Sequence, residues 1–192
     1  MGSKNTIQKN TNGFALLMTL IVVSVLISIG LVIVDLTLKQ VRLSTNTKDS
    51  ESAFHAANAG LECARYWRRV ASSTMETGGD INPACFSGTA ATSTKTSIVS
   101  DANGNILLYT YGFTWGTNQR CSIMSTLVMA ASPTGAGLSL DVTQYIPGYP
   151  TSVPKVCNPG ERCTVLASHG FNRSCATING YGAIEREVLL QY

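Results

Sequence analysis

The strongest constraint in this sequence is a run of residues without a single charge, from Phe14 to Val34. An α-helix of that length extends over about 30 Å, the thickness of the hydrocarbon core of a bilayer. The hydroxyl groups of Ser24 and Ser28 do not exclude such a span, because each can bond to the backbone carbonyl one turn earlier. We therefore expect a transmembrane helix over residues 14–34.

Three kinds of N-terminal segment contain a run of this type. A secretory signal peptide has a shorter apolar region, of about 7 to 15 residues, and a small-residue cleavage site, which Asp35-Leu36-Thr37 does not supply. A plain signal anchor would be kept with its N-terminus in the cytoplasm by Lys4 and Lys9. The third is cleavage before the run, between Gly13 and Phe14, which would remove a leader of residues 1–13.

Helical character continues beyond the span. Residues 35–72 contain no proline and a single glycine, and small side chains recur there at steps of three and four, as they do on one face of a helix. We expect an amphipathic continuation over 35–72, with a break possible at 44–50, where Ser, Thr and Asn are poor helix formers. The predicted packing face consists of Ala53, Ala57, Gly60, Ala64 and Trp67, widened by Phe54 and Leu61.

The remainder, residues 73–192, has the pattern of loops and short strands. Strands are expected within 97–115, with a hairpin at Asp101-Ala-Asn-Gly104, and within 121–131, 138–146, 162–171 and 181–192. Calcium binding by Asp101 and its neighbours is the alternative, but no bidentate glutamate follows at the expected loop end. The predicted fold class is α+β, with a long N-terminal helix packed on a small antiparallel sheet that forms a head domain.

All the cysteines lie beyond the apolar run, and their even number favours an oxidising compartment and up to three disulfides. Six thiols can pair in 15 ways, and spacing does not choose among them. A zinc site at Cys157, Cys163, His169 and Cys175 is the weaker alternative, because its spacing is unlike that of zinc knuckles. The candidate disulfide cysteines are Cys63, Cys85, Cys121, Cys157, Cys163 and Cys175.

Several functions are disfavoured by what the sequence lacks. A charged fraction of 13% and a net charge of +3 give no basic stripe for nucleic acid. The two histidines suggest no Ser-His-Asp set, so we expect no enzyme, no cofactor and no metal.

The basic leader, Gly13 and the apolar helix that starts at Phe14 resemble the class III signal of type IV pilins. The segment AFHAANAGLECA, residues 53–64, and the C-terminal pattern SHGFN…GAIEREVLLQY resemble minor pilins of the PilX and GspK kind. The resemblance implies that a prepilin peptidase cleaves after Gly13 and methylates Phe14. It also implies an inner-membrane subunit with its head outside the cytoplasm, which an assembly platform extracts from the lipid into a filament of major and minor pilins.

Met18 departs from the commonest pilin pattern, in which a glutamate stands at this position. A carboxylate in a membrane costs about 2.5 to 3.5 kcal/mol, and in a pilin it pairs with the amine of the preceding subunit. Met18 cannot form that pair, so we expect a tip or initiation-complex subunit. Alternatives are a pseudopilin of a secretion or competence system and an uncleaved anchored adhesin or receptor. Adhesion by exposed loops at 73–100 and 146–163 is a further expectation.

Overall fold

The computed structural model describes residues 12–86, 93–117 and 119–192; the predicted leader, residues 1–13, lies almost entirely outside them. The described part starts with a long helix and continues into a sheet domain. The helices are α1 (Asn12–Val70) and α2 (Ser72–Thr77), with a 3-10 turn at Val142–Gln144. The strands are β1 (Thr94–Asp101), β2 (Gly104–Trp115), β3 (Arg120–Ala131), β4 (Leu138–Leu140), β5 (Lys155–Cys157), β6 (Arg162–Phe171) and β7 (Glu185–Gln191).

Five strands form one antiparallel sheet in the order β1-β2-β3-β6-β7, and β4 and β5 pair separately. The hairpin expected at Asp101 joins β1 to β2. The Asp101 side chain accepts a hydrogen bond of 2.8 Å from the Asn103 amide, and Asn103 in turn accepts one from the amide of Ala136. The Asp101 oxygen is thus used within the turn, as in an Asx turn, and the Asn103 oxygen ties the turn to the loop after β3.

The sheet is covered on both faces, so its strands alternate between two cores. On one face the second part of α1 and α2 pack on Tyr109, Met124 and Leu166. On the other face the segment around β4, β5 and the 3-10 turn covers Ile106, Leu127 and Val165. The fold class predicted from the sequence, a long helix on a small antiparallel sheet, is therefore confirmed.

Three local predictions were wrong. The break considered at 44–50 is absent from α1, and the Thr45 hydroxyl donates back to the carbonyls of Val41 and Arg42, which keeps this polar residue compatible with the helix. The strand expected over 138–146 ends at Leu140, because the Asp141 side chain accepts from the Thr143 amide and caps a 3-10 turn. The loop expected over 73–100 contains most of α2 and all of β1 except its last residue, Asp101.

The molecule divides into two units between Asn46 and Thr47. The first contains the apolar helical segment, and the second, which we call the head, contains the rest of α1 and both sheets. The two are described separately below.

Candidate functional site

The apolar segment of α1 presents all its side chains to the surroundings. Every described residue from Gly13 to Lys48 is exposed, including Phe14 at 68% and Met18 at 48%. The helix is long and apolar enough to cross a membrane by length and composition. Because so many large aliphatic groups have no cover of their own, this segment needs an apolar environment or other helices around it.

The polar side chains of the segment are satisfied within the helix itself. The hydroxyls of Thr19, Ser24 and Ser28 donate to the carbonyls of Leu16, Ile21 and Ser24 over 2.9, 2.8 and 2.8 Å. A hydroxyl that bonds to its own backbone adds little cost in an apolar environment. The uncharged run from Phe14 to Val34 is therefore compatible with lipid along its whole length, and Met18 adds no polar group to it.

In the head, α1 packs on the sheet through very small residues. Ala53, Ala57 and Ala64 are fully buried, Gly60 is buried and Trp67 is half-buried. A Cβ on Gly60 would overlap the Ser168 hydroxyl. The absence of side chains here allows the helix backbone to approach the strands closely.

This face packs on β3 and on β6, where Gly170 lies against the helix. A Cβ built on Gly170 would overlap the backbone of Ala53 and Ala57, so this position admits no other residue without movement of the helix. The buried Ser122 hydroxyl of β3 donates to the Ala56 carbonyl over 2.7 Å, and Trp115 Nε1 donates to Ser122 over 2.8 Å.

The helical face differs from the sequence prediction in two residues. Phe54, which was expected to widen the face, is 49% exposed, whereas Ala56 is fully buried. The sequence signal that could have found Ala56 is its place between Ala53 and Gly60, at steps of three and four. The prediction was based on hydrophobicity and therefore chose Phe54. The helix lies so close to the sheet at this point that a small residue such as Ala56 fits there instead.

A buried ionic contact fixes the end of α1, and sequence reasoning missed it. Arg68 is 6% exposed; its Nε donates to the Thr164 hydroxyl over 3.0 Å, and its Nη2 lies 2.7 Å from Glu76. The second oxygen of Glu76 lies 3.0 Å from Arg162 Nε, so one carboxylate bridges two guanidinium groups. The contact joins α1 to α2 and β6.

Three disulfides connect the six cysteines: Cys63 with Cys85, Cys121 with Cys175, and Cys157 with Cys163. The first links α1 to the segment after α2, the second links β3 to the loop after β6, and the third links the end of β5 to the start of β6. All the thiols of the zinc alternative are used in these bonds, so that alternative was wrong for this oxidised structure.

The core beneath the helix holds one strongly perturbed titratable group. Burial raises the pKa of Tyr111 to about 12, and the hydroxyl of Thr126, at 3.5 Å, opposes the shift in part. The neutral phenol is thus built into the packing under α1 and has no exposed charge to offer a substrate.

The comparison with known protein families finds a similarity for the N-terminal segment. Residues 12–62 match the family model described as PilX N-terminal. These residues of the chain are therefore similar to the N-terminal segment of PilX-like minor pilins. The match extends from the start of α1 to the middle of its packed part, so it includes the exposed apolar segment and the small-residue face as far as Gly60. No curated protein and no solved structure matches the chain.

Proposed function

We propose that this PilX-like chain is a minor subunit at the tip or in the initiation complex of a type IV pilus, where it promotes filament assembly. The observation that carries the proposal is Met18, an exposed apolar side chain in a helix that is otherwise ready for lipid or for helix packing. Its position is the fifth after the Gly13-Phe14 bond, where most pilins have a glutamate.

The physical argument concerns the pairing of charges in an apolar filament core. A free amine and a carboxylate that are both withdrawn from water must pair, since either one alone is costly. The amine of a processed Phe14 would receive the glutamate of the next subunit. Met18 has no carboxylate that needs the amine of a preceding subunit. This is what we expect of the first subunit in a filament, which has no preceding subunit.

In this proposal the chain has a defined route. A prepilin peptidase would cleave after Gly13 and methylate Phe14, and the apolar helix would hold the subunit in the inner membrane with its head outside the cytoplasm. The assembly platform would then deliver it into an extracellular pilus together with other minor pilins and the major pilin. The three disulfides of the head agree with an oxidising compartment.

The test is the position of the subunit in filaments. The native chain, a Met18→Glu variant and a conservative Met18→Leu control are labelled with gold through an antibody against the head. We expect label at one end of the pili for the native chain and the control. The Met18→Glu variant would appear along the shaft, because its carboxylate can pair with a preceding amine. Label of the native chain along the shaft would refute the tip position.

We also propose that the segment from Ile146 to Cys163 contributes to adhesion. It displays two uncovered valines, Val153 at 69% and Val156 at 60% exposure, and exposed apolar groups of this kind are common at binding surfaces. A double change, Val153→Ser and Val156→Ser, should reduce adherence of piliated cells while the number of pili stays constant. Val70→Ser, at a valine exposed to 59% on α1, is the control. Unchanged adherence of the double variant would reject this role.

A further inference from the structure

A cleft in the head lies between the packed part of α1 and one end of the five-stranded sheet. Its volume is about 340 Å³. Small-molecule sites in proteins usually have roughly 300 to 1,000 Å³, so the cleft is large enough for a small ligand. We call it the polar cleft; its lining includes Lys48, Asp49, Glu51, Ser52, Arg120 and Asn172.

The fold brings these side chains together from one helix and two neighbouring strands. Arg120 lies two residues before Ser122 on β3, and Asn172 lies two residues after Gly170 of β6. Side chains two residues apart in a strand point to the same face of the sheet. Because Ser122 and Gly170 both contact α1, Arg120 and Asn172 lie on the face that the helix covers.

Several polar side chains of the cleft are unpaired. Among the described residues, no hydrogen bond or ion pair is made by the side chains of Lys48, Asp49, Ser52 and Arg120. Arg120 is the most constrained of them, because the residue is half-buried and its Nε is shielded from water. A buried N–H group without an acceptor is costly. Arg120 therefore needs an acceptor that the described residues do not supply.

We propose that the polar cleft binds an acidic sugar, that is, a hexose unit that carries a carboxylate, as a uronic acid does. A guanidinium binds a carboxylate through two parallel hydrogen bonds, which would satisfy Arg120. Asp49 can accept hydrogen bonds from sugar hydroxyls, and Lys48 and Ser52 can donate to them. Most small-molecule sites are lined mainly by apolar side chains, whereas the described lining of this cleft is polar throughout. This composition fits a ligand with many hydroxyls.

Other classes of ligand fit the cleft less well. A phosphate dianion would meet two carboxylates, Asp49 and Glu51, and like charges at short range repel each other. A neutral sugar would leave Arg120 without an acceptor. A protein segment would need apolar groups at the centre of its contact, which the described lining does not offer. The proposal depends neither on the position of the subunit in a pilus nor on the segment from Ile146 to Cys163.

The test is isothermal titration calorimetry of the full chain in a detergent that has no sugar head group. Three kinds of probe separate the parts of the proposed ligand. The methyl glycosides of glucuronic and galacturonic acid have both the carboxylate and the hydroxyls. The methyl glycosides of glucose and galactose have only the hydroxyls, and acetate has only the carboxylate.

At least one acidic glycoside should bind at least about tenfold more tightly than its neutral counterpart and than acetate, because it alone makes both sets of hydrogen bonds. Equal affinity for the acidic and the neutral glycoside would mean that the cleft does not recognise a carboxylate. Equal affinity for the acidic glycoside and acetate would mean that it is a site for simple anions. Either result would overturn the proposal, as would the absence of binding of both acidic glycosides at millimolar concentrations.

Variants assign the contacts to individual side chains. Arg120→Gln should weaken binding of the acidic glycoside at least about tenfold. Its matched control, Arg69→Gln, changes an exposed arginine of α1 outside the cleft and should have no effect. Asp49→Ala should weaken binding of the acidic glycoside but not of acetate, since it removes only an acceptor for hydroxyls.

Thermal unfolding should confirm that each of these variants is folded before its affinity is compared. An Arg120→Gln variant that is folded and binds the acidic glycoside as tightly as the native chain would contradict the site. Equal losses for Arg120→Gln and Arg69→Gln would show that only the overall charge of the chain matters, and this would contradict it as well.

Discussion

The two parts of α1 have the same backbone geometry but opposite relations to their surroundings. From Gly13 to Lys48 every described side chain is exposed, whereas in the head Ala53, Ala57 and Ala64 are completely buried against the sheet. The first part holds its shape through hydrogen bonds within the helix, and the second is fixed by contacts with α2, β3 and β6. The difference teaches that the head is complete as a packed unit, while the apolar segment is built to be covered by something else.

The largest effect is expected at the closest contact between helix and sheet. Gly170→Ala should destabilise the head by more than about 3 kcal/mol, because the added Cβ meets the helix backbone, which cannot move aside like a flexible side chain. The free energy of unfolding can be followed by the fluorescence of Trp67 and Trp115 in the full chain.

Gly112→Ala in β2 is the control for this change. Its Cβ would lie 3.4 Å from the nearest atoms, those of Ser122 and Ile123, so only a slight adjustment is needed. If both variants unfolded at the same denaturant concentration, the close contact between the α1 backbone and Gly170 would not be what holds the packed part of the helix in place.

The next effect concerns two arginines three residues apart. Arg68→Met should cost about 3 kcal/mol, because it removes a buried cation and leaves the Glu76 carboxylate with only Arg162. Arg65→Met removes an exposed pair with Glu62, and such pairs contribute at most about 1 kcal/mol. Chemical unfolding of both variants measures the contrast, and similar losses would contradict the division between packed and exposed faces.

A pair of leucines compares the two parts of the helix directly. Leu61→Ala should destabilise the head by about 2 to 3 kcal/mol, since this side chain is 8% exposed in the core. Leu26→Ala, at a leucine that is 63% exposed, should leave unfolding of the head unchanged. Thermal unfolding followed by near-ultraviolet circular dichroism reports on the head alone. If Leu26→Ala lowered the stability of the head as much as Leu61→Ala, the two parts of the helix would not be distinct.

The smallest effect is a loss of stability in alkali. The pKa of Tyr111 is raised to about 12, so the folded head holds this proton more tightly than the unfolded chain. Its contribution is fully present below the ordinary pKa of tyrosine, near 10, and is lost as the pH rises toward 12. Near pH 11 the native head should have lost about 1 kcal/mol more than Tyr111→Phe. Equal alkaline sensitivity of the two proteins would remove Tyr111 as the cause.

The sequence was most informative where a pattern is local. Three local patterns each predicted an element that the structure contains. They are the absence of charged residues over 14–34, the small residues at helical spacing, and the Asn-Gly pair in the hairpin. It could not reveal the Arg68–Glu76–Arg162 contact, because Arg162 is 86 residues from Glu76 in the chain and reaches it only once β6 is in the sheet. The disulfide pairing also depends on the sheet topology. The processing site and the role of Met18 involve other proteins, so they stay predictions.

The most direct test of the account is the N-terminus of the chain isolated from its native membrane, determined by intact mass and N-terminal sequencing. We expect the protein to begin with an N-methylated Phe14 and to retain the whole apolar helix. A protein that begins at Met1 or Gly2 would contradict prepilin processing, and the proposed meaning of Met18 as the mark of a tip subunit would be lost with it.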